Sequence, residues 1–344
     1  MPRPYNVSVG TGHYPALPLM PIPRHTMRAM KILVSGSIAY DLLLQYDGSF
    51  PDAIDPAHLD ELSMAFVTTR FARHHGGTGA NIAWNLKLLN QEPLLVGTVG
   101  HDAGSYTALL EERGVSTKRV EVQRGYATST AIVATDSREH QITFFHPGAD
   151  AAGSFPDLSE ERDDLAYAVI SPRDARVMMQ AMAWCQQYAV PYLFDPGQQV
   201  LAFAEEELAR AIGKSAGVIA NAYEWSLISK KTSFAIEQLL EHAPFLVITQ
   251  AEEGCTVYTP KGETVLPACK PEKTVNPTGA GDAFRAGFLT GLAAKWSFKQ
   301  CAMLGSSLAS FIVEQEGTLI DAVDLNDVMG RAETTYGEAL PALP

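Results

Sequence analysis

Short apolar runs recur along the chain, each closed by small or polar residues, and most are separated by segments with helical spacing. KILVSGS (31–37) has the pattern of a buried strand that feeds a loop. TGANIAWNLKLLN (78–90) carries apolar residues at helical spacing, and PLLVGTVG (93–100) follows as a second buried strand. Further strand candidates are AYAVI (166–170), VPYLF (190–194), AGVIA (216–220) and PFLVIT (244–249). This alternation predicts a three-layer α/β/α domain with a mostly parallel central sheet covered by helices on both faces.

Two stretches break the rhythm. Residues 41–75 contain DLLLQYDGSF and MAFVTTRFARHH, and residues 119–146 contain TSTAIVATD and HQITFFHP around a polar turn at Asp136 to Glu139. Both have the alternation of antiparallel strands or hairpins, so they predict a small β-sheet lid standing off the main domain. No internal repeat is present. Residues 1–29 are rich in proline and lack a continuous apolar stretch, which argues against a secretory signal. They read as a disordered tail or as a product of start-site assignment, since Met27 and Met30 stand directly before the first strand.

Composition narrows the partners. At 344 residues the chain can bury a substantial core. Its formal net charge of −13 argues against nucleic acid or an anionic membrane as partner, and any bound anion then needs local help. Cys185, Cys255, Cys269 and Cys301 show no CxxC spacing and read as buried free thiols of a cytoplasmic protein. No apolar run is long enough for a membrane span. GxxxxGK[ST] and HExxH are both missing from the sequence, which argues against a P-loop kinase and against a tightly held transition metal.

The most informative stretch is VNPTGAGDAFRAGF (275–288). A glycine-rich turn entering a helix presents free N–H groups and the positive end of the helix dipole, so Gly279, Ala280 and Gly281 would supply donors able to hold an anion. A carboxylate at the same spot, Asp282, repels a phosphate unless it has its own task. The useful task is to take a proton from a hydroxyl that attacks a phosphoryl group. A bare GxGD equally describes a helix cap. The fuller PTGAGDAFRAGF resembles the C-terminal signature of the PfkB (ribokinase-like) family of carbohydrate and nucleoside kinases, whose usual form is DTxGAGDxFxxG. That resemblance implies ATP as co-substrate, Mg²⁺ as cofactor, Asp282 as catalytic base and the amides of Gly279, Ala280 and Gly281 as the anion hole. Asn276 stands where many members carry an aspartate that helps to hold a monovalent cation.

Other motifs fit the same family, over most of residues 31–320. FARHHGGTGANIAWNLKLL supplies Gly76, Gly77 and Asn81 of the GGxxxN segment that holds a sugar; by itself it is a helix-entry turn, and it lacks the third glycine of a dinucleotide loop. GSIAYD places Ser37 and Asp41 at a strand end, where ligands of open α/β sheets gather, and Asp41 resembles the family's sugar-binding aspartate. NAYE (221–224) fits the family's NxxE pattern, implying Asn221 and Glu224 near Mg²⁺, largely through water, and near the ATP phosphates. It also reads as an asparagine cap. TQAEEG (249–254) resembles the nucleotide-binding turn, with Thr249 and Gly254 at the matching positions, and the helix near SSLASFIVEQEG (306–317) resembles the other wall of the ATP site. His74 and His75 fall at the lid hinge.

Three features favour one branch of the family. ITFFHPGAD (142–150) puts two aromatics at the end of a lid strand, where Phe144 offers a face to a purine. DPGQQ (195–199) ends a central strand with Gln198 and Gln199, amides able to read a base edge or a ribose hydroxyl. With Ser37 they resemble the bacterial adenosine kinase branch. The expectation is a kinase domain over 30–335, with lid strands from about 41–75 and 119–146, that phosphorylates the 5′-hydroxyl of adenosine in purine salvage. Its partners are then nucleoside and ATP, in a monomer or homodimer. Two alternatives stand beside it: a sugar kinase of ribokinase or fructokinase type, and a nucleoside-binding sensor without turnover.

Overall fold

In a computed structural model, which describes residues 30–54 and 63–343, the strands divide between two sheets. The large sheet holds β1 (Lys31–Ser35), β4 (Glu92–Gly100), β5 (Val120–Gln123), β8 (Leu165–Ile170), β9 (Tyr192–Phe194), β10 (Gly217–Asn221), β11 (Leu246–Thr249), β12 (Cys255–Thr259) and β13 (Gly262–Leu266). The small sheet holds β2 (Ala39–Gln45), β3 (Arg70–Gly76), β6 (Ser129–Thr135) and β7 (Gln141–His146).

The large sheet runs β13-β12-β11-β10-β9-β8-β1-β4-β5. Every pairing from β11 to β5 is parallel, and an antiparallel pair, β12 and β13, closes one edge. Successive side chains of a strand point to opposite faces. Ile32 and Val34 of β1 therefore pack with α2 (Thr78–Leu88), α3 (Gly104–Glu112), α8 (Ala280–Ala293), α9 (Phe298–Ile312) and α10 (Leu325–Tyr336). Leu33 packs on the other face with α4 (Ala175–Gln187), α5 (Glu205–Gly213), α6 (Ala222–Thr232) and α7 (Ile236–Leu240). A three-layer α/β/α domain with a mostly parallel sheet is what the alternation predicted, and its ribokinase-like form is what the family resemblance implied.

The small sheet differs from its expected form in two ways. Its order is β3-β2-β6-β7, and β2 pairs with β6 in parallel. Both strands leave the large sheet in the same direction, and β3 and β7 return antiparallel beside them. The expected second boundary also shifts. Val120–Gln123 pairs in parallel with Gly97–Gly100 of β4 as an edge of the large sheet, so this part of the lid begins at Ser129 and not at 119. A short helix, α1 (Phe50–Ala53), follows β2.

The expected leader, 1–29, lies outside the described residues, as does 55–62 of the expected lid segment. Cys185, Cys255, Cys269 and Cys301 are buried free thiols. Among the described residues no helix is long and apolar enough to cross a membrane.

Candidate active site

The carboxyl ends of the parallel strands and the lid face one another. At the end of β1 the chain turns through Ser37, whose Oγ accepts from the Thr78 N–H at 3.1 Å and whose carbonyl accepts from the Gly79 N–H at 2.9 Å. Ser37 thus ties the strand exit to the first turn of α2, and it stays half-buried beside the site.

From there β2 carries Asp41 into the lid. Register places His74, Asp41, Ala131 and Phe145 in one row across the four strands, and hence on one face. Arg73, Leu42, Ile132 and Phe144 make the next row, which points to the other face. A cleft of about 390 Å³ runs along the Asp41 face, between His74, residues 275–278 and residues 316–318. Phe144, the expected aromatic, therefore faces away from the cleft. The period of two along β7 makes Phe145 the ring on the Asp41 side. Both rings are exposed.

Two glycines seat Asp41 and Asn81. A Cβ on Gly76 would stand 2.3 Å from Asp41 Oδ2, so the carboxylate lies directly against this Cα. Gly77 starts α2 with φ of 92°, a conformation side chains rarely adopt. Burial pushes the Asp41 carboxyl up to about 6, partly offset by the charge of His74.

Asp282 lies in the first turn of α8 and is buried. Its Oδ2 accepts from Asn81 Nδ2 at 2.7 Å. Asn81 Oδ1 in turn accepts from Thr318 Oγ1 at 2.9 Å, and the same hydroxyl lies 3.0 Å from the His75 carbonyl on the lid strand. Burial pushes the Asp282 carboxyl up to about 7, while Arg285 and the Asn81 bond pull it down and Asp195 and Asp41 push it up. Such a group changes protonation near neutrality, as a general base requires.

Of the three expected anion-hole amides, Ala280 already donates to the Pro277 carbonyl at 3.2 Å. Gly279 and Gly281 have no acceptor among the described residues. Asn276 Oδ1 accepts from the Thr278 N–H at 2.9 Å and so shapes the turn before them.

The remaining residues sit at or after the carboxyl ends of β9, β10 and β11. Asn221 and Glu224 form a reciprocal cap at the start of α6: Asn221 Oδ1 accepts from the Glu224 N–H, and Glu224 Oε2 from the Asn221 N–H, both at 2.8 Å. The alternative reading of NAYE as a cap is therefore realised in the structure. Burial raises the Glu224 carboxyl, with Arg285 opposing. Thr249 is the register partner of Asn221, and Gly254 closes the following turn, its carbonyl accepting from the Gln250 N–H at 2.8 Å. Gln198 is exposed and Gln199 half-buried in the helical turn Gly197–Leu201 after β9. His75 packs against Tyr40 and Tyr106 at the lid hinge, and His74 lines the cleft.

The model of the pfkB family of carbohydrate kinases matches residues 31–324. The chain belongs to this family. Among pfkB relatives, a nucleoside kinase of Methanothermobacter thermautotrophicus is 31% identical over 316 residues, covering 90% of this chain and 98% of the relative. A Burkholderia thailandensis nucleoside kinase solved with inosine superposes with a TM-score of 0.79 at 29% identity, over 90% of this chain and 99% of that one. The nucleoside kinase of Methanocaldococcus jannaschii, an archaeal member of the ribokinase family, gives 0.78 at 26% identity, over 89% and 98%.

The pfkB motifs did not point to Thr318, Asp195 or Arg285, all of them buried. Arg285 carried one usable signal: it is the one cation in a helical stretch that, Asp282 and Thr290 apart, is small and apolar. Thr318 follows a loop and carried none.

Proposed function

We propose that the chain is an ATP-dependent nucleoside kinase that phosphorylates the 5′-hydroxyl of a purine nucleoside, with adenosine as the substrate. The observation that carries this reading is Asp282, a buried carboxyl held by Asn81 beside the free amides of Gly279 and Gly281. Asp41, Gly77 and Asn81 hold the ribose. Phe145 covers one face of the base, and Gln198 and Gln199 meet its edge with amides that both donate and accept. The likeness to nucleoside kinases over nearly the whole chain supports this branch over a sugar kinase. A sensor gains nothing from a carboxyl poised beside an anion hole.

The O5′–H proton passes to the Asp282 carboxylate as O5′ bonds to the γ-phosphorus, and the bond from that phosphorus to the β–γ bridging oxygen breaks, releasing ADP. The Gly279 and Gly281 amides stabilise charge on the transferring oxygens. Lid closure over the ribose excludes water and limits ATP hydrolysis.

Among the described residues no cluster of three or more His, Cys, Asp or Glu side chains is placed to hold a metal. Glu224 Oε1 has no hydrogen-bond partner among them, so one carboxylate oxygen is available near the phosphate side. That suits Mg²⁺, which keeps much of its water: Asn221 and Glu224 would hold it, largely through that water. When bound, the ion neutralises charge on the phosphates. Thr249 and Gly254 border the nucleotide.

ADP release with Mg-ATP and adenosine, inosine, guanosine, cytidine, ribose or fructose tests the reading. Adenosine is expected to give the highest kcat/KM, and a preference for a free sugar contradicts it. Asp282→Asn is expected to lower kcat by roughly 10²-fold or more.

A further inference from the structure

One buried cation has no part in that chemistry. Arg285 lies one turn along α8 from Gly281 and is 7% exposed. Its Nε and Nη2 donate to Asp195 Oδ2 and Oδ1 at 2.5 and 2.6 Å, and Asp195 itself is 1% exposed. Ser171 Oγ also donates to Asp195 Oδ2, at 2.9 Å. Arg285 Nη1 donates to the Gly281 carbonyl at 3.0 Å, and Nη2 stands 3.9 Å from Glu224 Oε2.

These partners come from four places along one sheet edge: the ends of β8 and β9 and the starts of α6 and α8. Asp195 opens the turn that carries Gln198 and Gln199. Glu224 belongs to the phosphate side, and Gly281 to the anion hole. A guanidinium holds its donors in a rigid plane, so two bonds to one carboxylate fix rotation as well as distance. Gly281 follows that shape, since a Cβ there would stand 2.9 Å from Arg285 Nη1. A buried ion pair is weak as a source of net stability compared with apolar packing, so its geometry is the better account of its presence.

We infer, resting on the phosphoryl-transfer reading of the site, that Arg285 is a positioning residue: paired with Asp195, it holds the first turn of α8, with Asp282 and the anion-hole amides, in register with the nucleoside-reading turn and Glu224. It touches no reacting atom and acts through Gly281 and Asp282. The polar and charged groups around Asp282 are Arg285 on its own helix, Asn81 on α2, Asp41 on β2, Asp195 after β9 and Tyr106 on α3. Arg285 is the cation among them. Without it the two carboxylates act unopposed, and Asp282 binds its proton more tightly.

The test compares the wild type with Arg285→Lys and Arg285→Gln. One readout is kcat and KM against pH at saturating Mg-ATP. The other is the titration of the Asp282 carboxyl by ¹³C NMR in substrate-free protein, its signal assigned with Asp282→Asn. Arg285→Lys keeps the charge and loses the fork: kcat is expected to fall roughly tenfold, with nucleoside KM changed by no more than about threefold and the carboxyl titration near wild type. Arg285→Gln loses both, and the carboxyl titration and the acid limb of kcat are expected to move up by roughly one pH unit or more. Wild-type kcat in folded Arg285→Lys, or an unmoved titration in folded Arg285→Gln, overturns the inference. Should Arg285→Gln not fold, the kcat of Arg285→Lys decides alone. The NMR readout needs no substrate, so a wild type that phosphorylates no nucleoside sinks the proposed function while the titration still tests Arg285.

Discussion

Asn81 Nδ2 donates to Asp282 Oδ2 across 2.7 Å, joining the first turns of two helices whose sequences lie far apart. On its other side Asn81 Oδ1 meets the Thr318 hydroxyl at 2.9 Å, so the amide has a partner at each end. The amide thus presents its donor to the carboxylate, the form that takes a proton. Asn81→Ala removes a bond that favours the charged form. Its kcat is expected to fall by roughly 10-fold to 100-fold and its acid limb to move to higher pH, read from a kcat–pH profile.

The Asp282 carboxyl, pushed up to about 7, sets the direction of the wild-type profile. Activity is expected to be lost as pH falls through about 7, because the base becomes protonated. Stability runs the other way. A carboxyl whose proton is held more tightly in the folded state contributes stability below its unfolded value of 3.8, and that contribution is lost as pH rises through about 7. Each unit of upward shift corresponds to about 1.4 kcal/mol. Asp282→Asn is therefore expected to raise Tm relative to the wild type at pH 8, with a smaller gain at pH 5, in melts followed by circular dichroism. An equal gain at both values contradicts the burial account.

Phe144 and Phe145 offer a direct comparison of the two lid faces. Phe145→Ala is expected to raise nucleoside KM roughly tenfold, since stacking on a base is worth about 1–3 kcal/mol. Phe144→Ala is expected to leave KM within about twofold, because its ring belongs to the face turned from the cleft. The opposite ranking contradicts the register argument.

Gly76→Ala puts a methyl group 2.3 Å from Asp41 Oδ2. Asp41 must then swing away from its place in the cleft. Nucleoside KM is expected to rise at least tenfold, on the order of the loss of one charged hydrogen bond, with ATP KM little changed.

Much of this architecture was legible in the sequence for physical reasons. Strands buried on both faces leave unbroken apolar runs, so β1, β4, β8 and β11 announced themselves. Asp41, Gly76, Asn81 and Asp282 lay in motifs that are each ordinary turns or caps alone and become informative only together, through their resemblance to one family. Short, half-exposed β5 was read as lid because nothing local in its sequence says which sheet edge it joins. A strand's two faces are told apart by register with its neighbours, which a single sequence does not contain, so nothing local separates Phe144 from Phe145. The Arg285–Asp195 pair spans 90 positions, and the bond between Thr318 and Asn81 spans 237. Such contacts exist only once the sheet has formed.

In the proposed reaction Asp282 draws a proton from a nucleoside 5′-hydroxyl. The most direct test mixes the protein with Mg-ATP, adenosine, ribose and fructose in one vessel and identifies the phosphorylated product by ³¹P NMR and mass. The expected product is adenosine 5′-monophosphate, formed at least roughly 10²-fold more slowly by Asp282→Asn. Ribose or fructose phosphate as the main product, or equal rates from the two proteins, contradicts the account.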